Sequence, residues 1–114
     1  MPRSPERNDV LQGTLDLLVL RVLQIESLHG WDITELLQRW SGNVLNLNQG
    51  SLYPALYRLE GQGMIRSEWR TTENNRRARY YSLTAAGKRM LAQERRYWER
   101  MSRAVNLVLR ANEA

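Results

Sequence analysis

Apolar residues along the chain change their period several times, and each change marks an element. Leu15, Leu17, Leu18, Leu20, Val22, Leu23 and Ile25 cover more than one face of a helix. Thr14 or Asn8 caps this helix, which is expected to run to about Ser27 and to be buried by its own core and by a partner chain. His29-Gly30 breaks it, with His29 as a turn or capping residue. A second helix, Trp31 to Trp40, sets Ile33, Leu36 and Leu37 at helical spacing, and Ser41-Gly42-Asn43 ends it. Val44 to Leu47 alternates only briefly and reads as a short strand or as the turn into the next helix. Met1 to Gly13, with Pro2, Pro5 and mixed charges, reads as an irregular arm.

The next stretch, NQGSLYPALYRLEGQGMI from Asn48 to Ile65, has two unlike faces. Leu52, Ala55, Leu56 and Leu59 gather on one arc of a helical wheel. Gly50, Ser51, Pro54, Tyr57 and Arg58 lie opposite, with Tyr53 on the flank. This outer face is small, aromatic and hydroxylated rather than a Lys/Glu mixture, and it suits close approach to a flat, polar, anionic surface. The plainer alternative is a core helix with two exposed tyrosines. Ser51 as N-cap would put Pro54 at the third helical position, where its missing N–H costs nothing. Asn48 as N-cap would add a turn and set Pro54 inside the helix. Gly61 and Gly63 then stop it.

Met64 to Thr71 alternates, Ala78 to Leu83 is rich in β-formers, and TENNRR between them is polar and turn-prone. The two runs form a hairpin with a basic tip, across which Trp69 should pack on Tyr80 or Tyr81. Thr84 caps a last helix, about Ala85 to Leu109. On it Leu91, Trp98, Met101, Val105 and Val108 fall at spacings of 7, 3, 4 and 3, close to a heptad. A helix this long cannot bury that seam alone. A homodimer is expected, held by Leu91, Trp98, Met101, Val105 and Val108 together with Leu11, Leu15 and Leu18 of the N-terminal region. The expected fold is mainly α with a small β-hairpin. It is a winged helix-turn-helix over residues 1–83, including the N-terminal arm, followed by a C-terminal dimerisation helix over 84–114.

Composition narrows the chemistry. A chain of 114 residues makes one domain with a modest core. It has no apolar run long enough to span a membrane and no signal-peptide pattern, so a cytoplasmic location is expected. Without cysteine there is no disulfide or thiolate metal site, and with one histidine a zinc site or a Ser-His-Asp triad is out of reach. Ser51 in Gly50-Ser51-Leu52 is not a G-x-S-x-G elbow. No catalytic residue, metal or cofactor is expected. The net charge is +5, and 16 of the 17 basic residues are arginine, which favours phosphate and guanine contacts. The third helix is itself neutral, whereas Arg66, Arg70, Arg76, Arg77 and Arg79 outnumber Glu68 and Glu73 in the hairpin. Phosphate-binding charge must therefore come from the wing. The expected contacts to double-stranded DNA are Gln49, Ser51, Tyr53, Tyr57 and Arg58 on the helix, and Asn74, Asn75, Arg76 and Arg77 on the wing. A winged-helix module that binds a protein instead is the alternative, because Tyr, Trp and Arg also serve as interface hot spots.

GTLDLLVLRVL with the following LHG and Trp31-Asp32-Ile33, then GSLYPALYRLEGQGMI, then RRARYYSLTAAGKRML, together resemble the PadR family of bacterial transcriptional regulators. The resemblance covers roughly residues 10 to 100. It implies a dimeric winged-helix repressor on an inverted-repeat operator in promoter DNA. The family's recognition block falls on Ser51, Tyr53 and Tyr57, and its wing tip on Asn74 to Arg77. The single terminal helix resembles the short-tailed subgroup, in which that helix dimerises. Some members sense phenolic acids or hydrophobic drugs, one of them through a tryptophan on the last helix. By that resemblance Trp98 is the candidate residue for a small aromatic effector. The wing differs from the family pattern in being asparagine-rich rather than lysine- or glycine-rich.

Overall fold

The computed structural model describes residues 5–113, with side chains from Gly13 onward. Its elements are α1 (Pro5–Leu23), β1 (Leu28–His29), α2 (Gly30–Trp40), α3 (Gln49–Gly61), β2 (Ile65–Thr71), β3 (Arg77–Leu83) and α4 (Ala85–Leu109). Helix α1 corrects the irregular arm expected for the first residues. It starts at Pro5, where proline's fixed φ and missing N–H suit the first helical position, so Asn8 and Thr14 lie within it. It also stops at Leu23, because the chain must turn to deliver β1 to the sheet. Gln24 N donates to Leu20 O at 3.1 Å, and Ile25, the last residue of the apolar pattern, is left 56% exposed. Leu11 has its side chain outside the described residues.

The hairpin gains a third strand. β1 pairs antiparallel with β3, and the sheet order is β1-β3-β2. Two residues carry no periodicity, so β1 leaves no trace in the hydrophobic pattern; it is sealed by the Ser27 and Ser82 hydroxyls, 2.5 Å apart. The last strand residue, His29, also caps α2, its Nδ1 accepting from Asp32 N at 3.4 Å. Residues Val44 to Leu47 form no strand.

Asn48 is the N-cap of α3, its side chain accepting from Ser51 N at 2.8 Å, and Pro54 stands inside the helix. The lost N–H costs α3 one hydrogen bond, offset by what its inner face buries. Leu52, Leu56 and Leu59 are fully enclosed and Ala55 nearly so, each leucine contributing about 1.5–3 kcal/mol. They meet Val19, Leu20 and Leu23 of α1, Ile33 and Leu37 of α2, Ile65 of β2 and Tyr81 of β3 in one core. Gly63, at φ +77°, ends α3 in a Schellman turn: Met64 N donates to Leu59 O at 3.0 Å and Gly63 N to Glu60 O at 3.0 Å.

Two of the expected dimer residues are in this core instead. Leu15 and Leu91 are each under 5% exposed, because the first turns of α4 pack back on α1. Leu18 is half-buried against the same core. Beyond Leu91, α4 leaves the body, and Trp98, Met101, Val105 and Val108 are all exposed. No helix among the described residues is long and apolar enough to cross a membrane.

Candidate nucleic-acid interface

The start of α2, the start of α3 and the inner face of the β2–β3 hairpin enclose an open groove of about 840 Å³. The hairpin register builds one wall. Thr71 pairs with Arg77, Trp69 with Arg79, Ser67 with Tyr81 and Ile65 with Leu83, so these residues share one face. At the root that face is apolar and buried. Toward the tip it becomes an exposed cationic–aromatic surface, with the guanidinia of Arg77 and Arg79 at 5.4 and 5.6 Å from the Trp69 ring centroid. Trp69 thus packs on arginines, not on Tyr80 or Tyr81 as expected, because the five-residue loop 72–76 sets a register that places Arg79 opposite it. Tyr80 is on the outer face, where Arg70 lies 5.1 Å from its centroid and pairs with Glu68.

At the tip, Thr72 N donates to Arg76 O at 2.6 Å and Asn75 N to Thr72 O at 3.0 Å, with Asn75 at φ +60°. Asparagine tolerates that left-handed conformation better than most residues. Asn75 therefore shapes the turn, while Asn74, Arg76 and Arg77 line the groove. Among the described residues the Arg76 side chain has no partner, which distinguishes it from Arg70, Arg77 and Arg79.

The α3 residues divide in the same way. Tyr57 is 83% exposed and Ser51 is also open to solvent. Tyr53 is half-exposed and leans on α2: a Cβ at Gly30 would lie 2.8 Å from its hydroxyl, so only glycine permits that approach. The side-chain amide of Gln49 donates to Thr34 Oγ1 at 3.0 Å and to Gly30 O at 3.3 Å. Gln49 thus locks α3 to α2 rather than offering its amide outward. Arg58 turns toward α1, where its guanidinium pairs with Asp16. Its expected role as a free cation on the recognition face is corrected accordingly.

A hydrogen-bonded chain sets the wing against α3. Arg79 Nε donates to Ser67 Oγ at 2.8 Å, and Ser67 Oγ donates to Glu60 Oε2 at 2.6 Å. Beneath them, burial pushes the Tyr81 phenol above its ordinary pKa of 10.0, and the neighbouring Tyr53 and Glu60 add to the rise against the opposing pull of Arg79. The floor of the groove is therefore a neutral phenol at ordinary pH.

Trp31, Trp69 and Arg79 complete the groove and were not among the residues expected to meet DNA. Their signal was hidden: Trp31 reads as the first residue of an amphipathic helix, and Trp69 and Arg79 read as strand positions until the register is known. The arrangement can grip a polyanion, with arginines for phosphates and exposed rings for sugars or base edges. No group of histidine and acidic side chains among the described residues could hold a metal ion.

Known proteins share both sequence and shape with this chain. Residues 19–93 match the family described as transcriptional regulator PadR-like. A transcriptional regulator of Mycobacterium tuberculosis is 38% identical over 94 residues, covering 82% of this chain and 84% of that protein. A transcriptional regulator from Clostridium thermocellum superimposes with a TM-score of 0.78 at 28% identity, covering 86% of this chain and 95% of that one. A PadR family transcriptional regulator from Eggerthella lenta gives a TM-score of 0.78 at 30% identity, with 91% and 88% covered. With a family match over most of its length, a winged-helix fold and a cationic–aromatic groove, the chain belongs to the PadR-like family of transcriptional regulators, DNA-binding proteins rather than enzymes.

Proposed function

We propose that the protein is a homodimeric repressor that binds an inverted-repeat operator in double-stranded promoter DNA. The observation that carries this is the groove in which α3 and the wing converge, with Tyr57 and Ser51 on its outer helical face and Arg76, Arg77 and Arg79 on its wall. Each α3 enters a major groove, where Ser51, Tyr53 and Tyr57 contact phosphates and base edges. Asn74, Arg76 and Arg77 of the wing reach the flanking backbone or minor groove. Residues 1–83 serve as the DNA-binding unit and 84–114 as the dimerisation helix, whose exposed stripe of Trp98, Met101, Val105 and Val108 meets its counterpart across a two-fold axis. Two-fold symmetry then sets the half-sites about one helical turn apart, about 34 Å. A small aromatic effector that releases the operator would bind beside Trp98, which is 49% exposed.

The test is binding of the purified protein to its own upstream promoter DNA and to random DNA across a salt series. Tight, operator-selective binding with a steep salt slope supports the repressor. Weak binding that is equal on both DNAs refutes it and favours a winged-helix surface for a protein partner. Adding simple phenolic acids to the operator complex tests release.

A further inference from the structure

We infer that Thr84 and Gly87, which touch neither the groove nor the exposed seam, form the joint that fixes which half-site spacing the dimer accepts; this rests on the dimeric reading above. Helix α4 is attached to the body by its first two turns only. Thr84 N donates to Met64 O at 3.1 Å, and Thr84 Oγ1 donates to Gly63 O at 2.7 Å while accepting from Gly87 N at 3.0 Å. One hydroxyl therefore ties the first turn of α4 to the turn that ends α3. Gly87 lies flat against the same turn: a Cβ there would come within 2.0 Å of Met64 O and 2.7 Å of Leu83 Cδ1. Leu91, one turn on, is the last α4 residue in the core, and from Ala92 to Leu109 only Ser102 is even half-buried.

The geometry makes this joint a lever. The end of α3 abuts it, and α3 is 13 residues long, which is about 20 Å at 1.5 Å per residue. With α4 held in the dimer, rotating the body by about 5° at the joint moves the start of α3 by up to about 1.7 Å. The two-fold axis doubles the change between recognition helices to about 3.4 Å, the rise of one base pair. A side chain at position 87 forces such a rotation, because backbone carbonyl and helix cannot occupy the same space. Loss of the Thr84 hydroxyl removes the bond that opposes it.

The experiment uses the full chain and the duplex it selects from a randomised DNA pool, remade with its centre shortened or lengthened by one and two base pairs, and a duplex holding one half-site. Gly87→Ala is expected to move the preferred spacing by one base pair. The affinity ratio between the original and shifted spacings should change by about tenfold, the scale of one bad base-pair contact, while half-site binding stays unchanged. Thr84→Val should broaden the spacing preference, and Thr84→Ser, which keeps the hydroxyl, should restore it. If Gly87→Ala does not fold, the Val and Ser pair decides the matter. Variants that lose affinity equally on every spacing, with the wild-type optimum intact, overturn the joint and leave the dimer standing. A wild-type protein indifferent to spacing overturns the dimeric reading and the joint with it.

Discussion

Arg76→Ala is the cleanest probe of the wing. The side chain is exposed at the hairpin tip and has no partner among the described residues, so its loss should change stability by less than about 0.5 kcal/mol. What it should change is the electrostatics of binding. Each phosphate contact contributes about 0.9 to the slope of log affinity against log salt on B-DNA, so two wings contribute about 1.8. Between 50 and 200 mM salt that difference amounts to a factor of about 12, which the variant would no longer lose. Arg70→Ala is the matched control. Arg70 is equally cationic, but it pairs with Glu68 and covers Tyr80 on the outer face of the hairpin. Its removal should leave the slope in place. Fluorescence anisotropy on labelled operator and random duplexes at four or more salt concentrations measures both. An unchanged slope for Arg76→Ala takes the wing out of the interface. An equal flattening for Arg70→Ala would mean that only net charge matters and that the groove-facing wall has no special part.

Tyr57→Ala should keep its melting temperature, since the ring is 83% exposed, yet lower the preference for operator over random DNA by about tenfold; competition binding would reveal equal losses on both, which would argue against base readout. Val105→Glu places a charge in the middle of the exposed α4 stripe and should give a folded monomer by light scattering, whereas a dimer that persists would move the interface elsewhere. Tyr81 gives a pH signature. Its phenol titrates higher folded than unfolded, so the folded state holds its proton longer and stability falls as pH rises beyond about 10. Denaturant titrations across that range should show Tyr81→Phe losing less stability than the wild type, and parallel declines would refute the burial argument.

Much of the architecture is legible because it depends on local period and local caps. The arc of Leu52, Ala55, Leu56 and Leu59 identifies the buried face of α3, since a helix two-thirds exposed has only one way to hide those four side chains. Thr84 capping α4, the two β-rich runs and the arginine bias are likewise properties of neighbouring residues. Even the ambiguity at α3 is a local one, between two caps, and the structure takes Asn48 because the extra turn brings Gln49 to Thr34 and Gly30.

What the sequence could not decide are relations between distant positions. β1 exists because β3 offers it an edge 52 residues later, and no pattern within Leu28-His29 announces that pairing. Arg58 appears free on a helical wheel, but Asp16 on α1 claims its charge. Leu15 and Leu91 fit a dimer seam by spacing, yet the packing of α1 on α4 encloses them within one chain. Trp69 finds Arg77 and Arg79 only through the register of a closed hairpin. Residue type and period determine which surfaces are apolar, cationic or aromatic. Which of those surfaces are used up inside the fold, and which remain to meet DNA or a second chain, is decided by tertiary packing, because side chains far apart in sequence compete for the same partners.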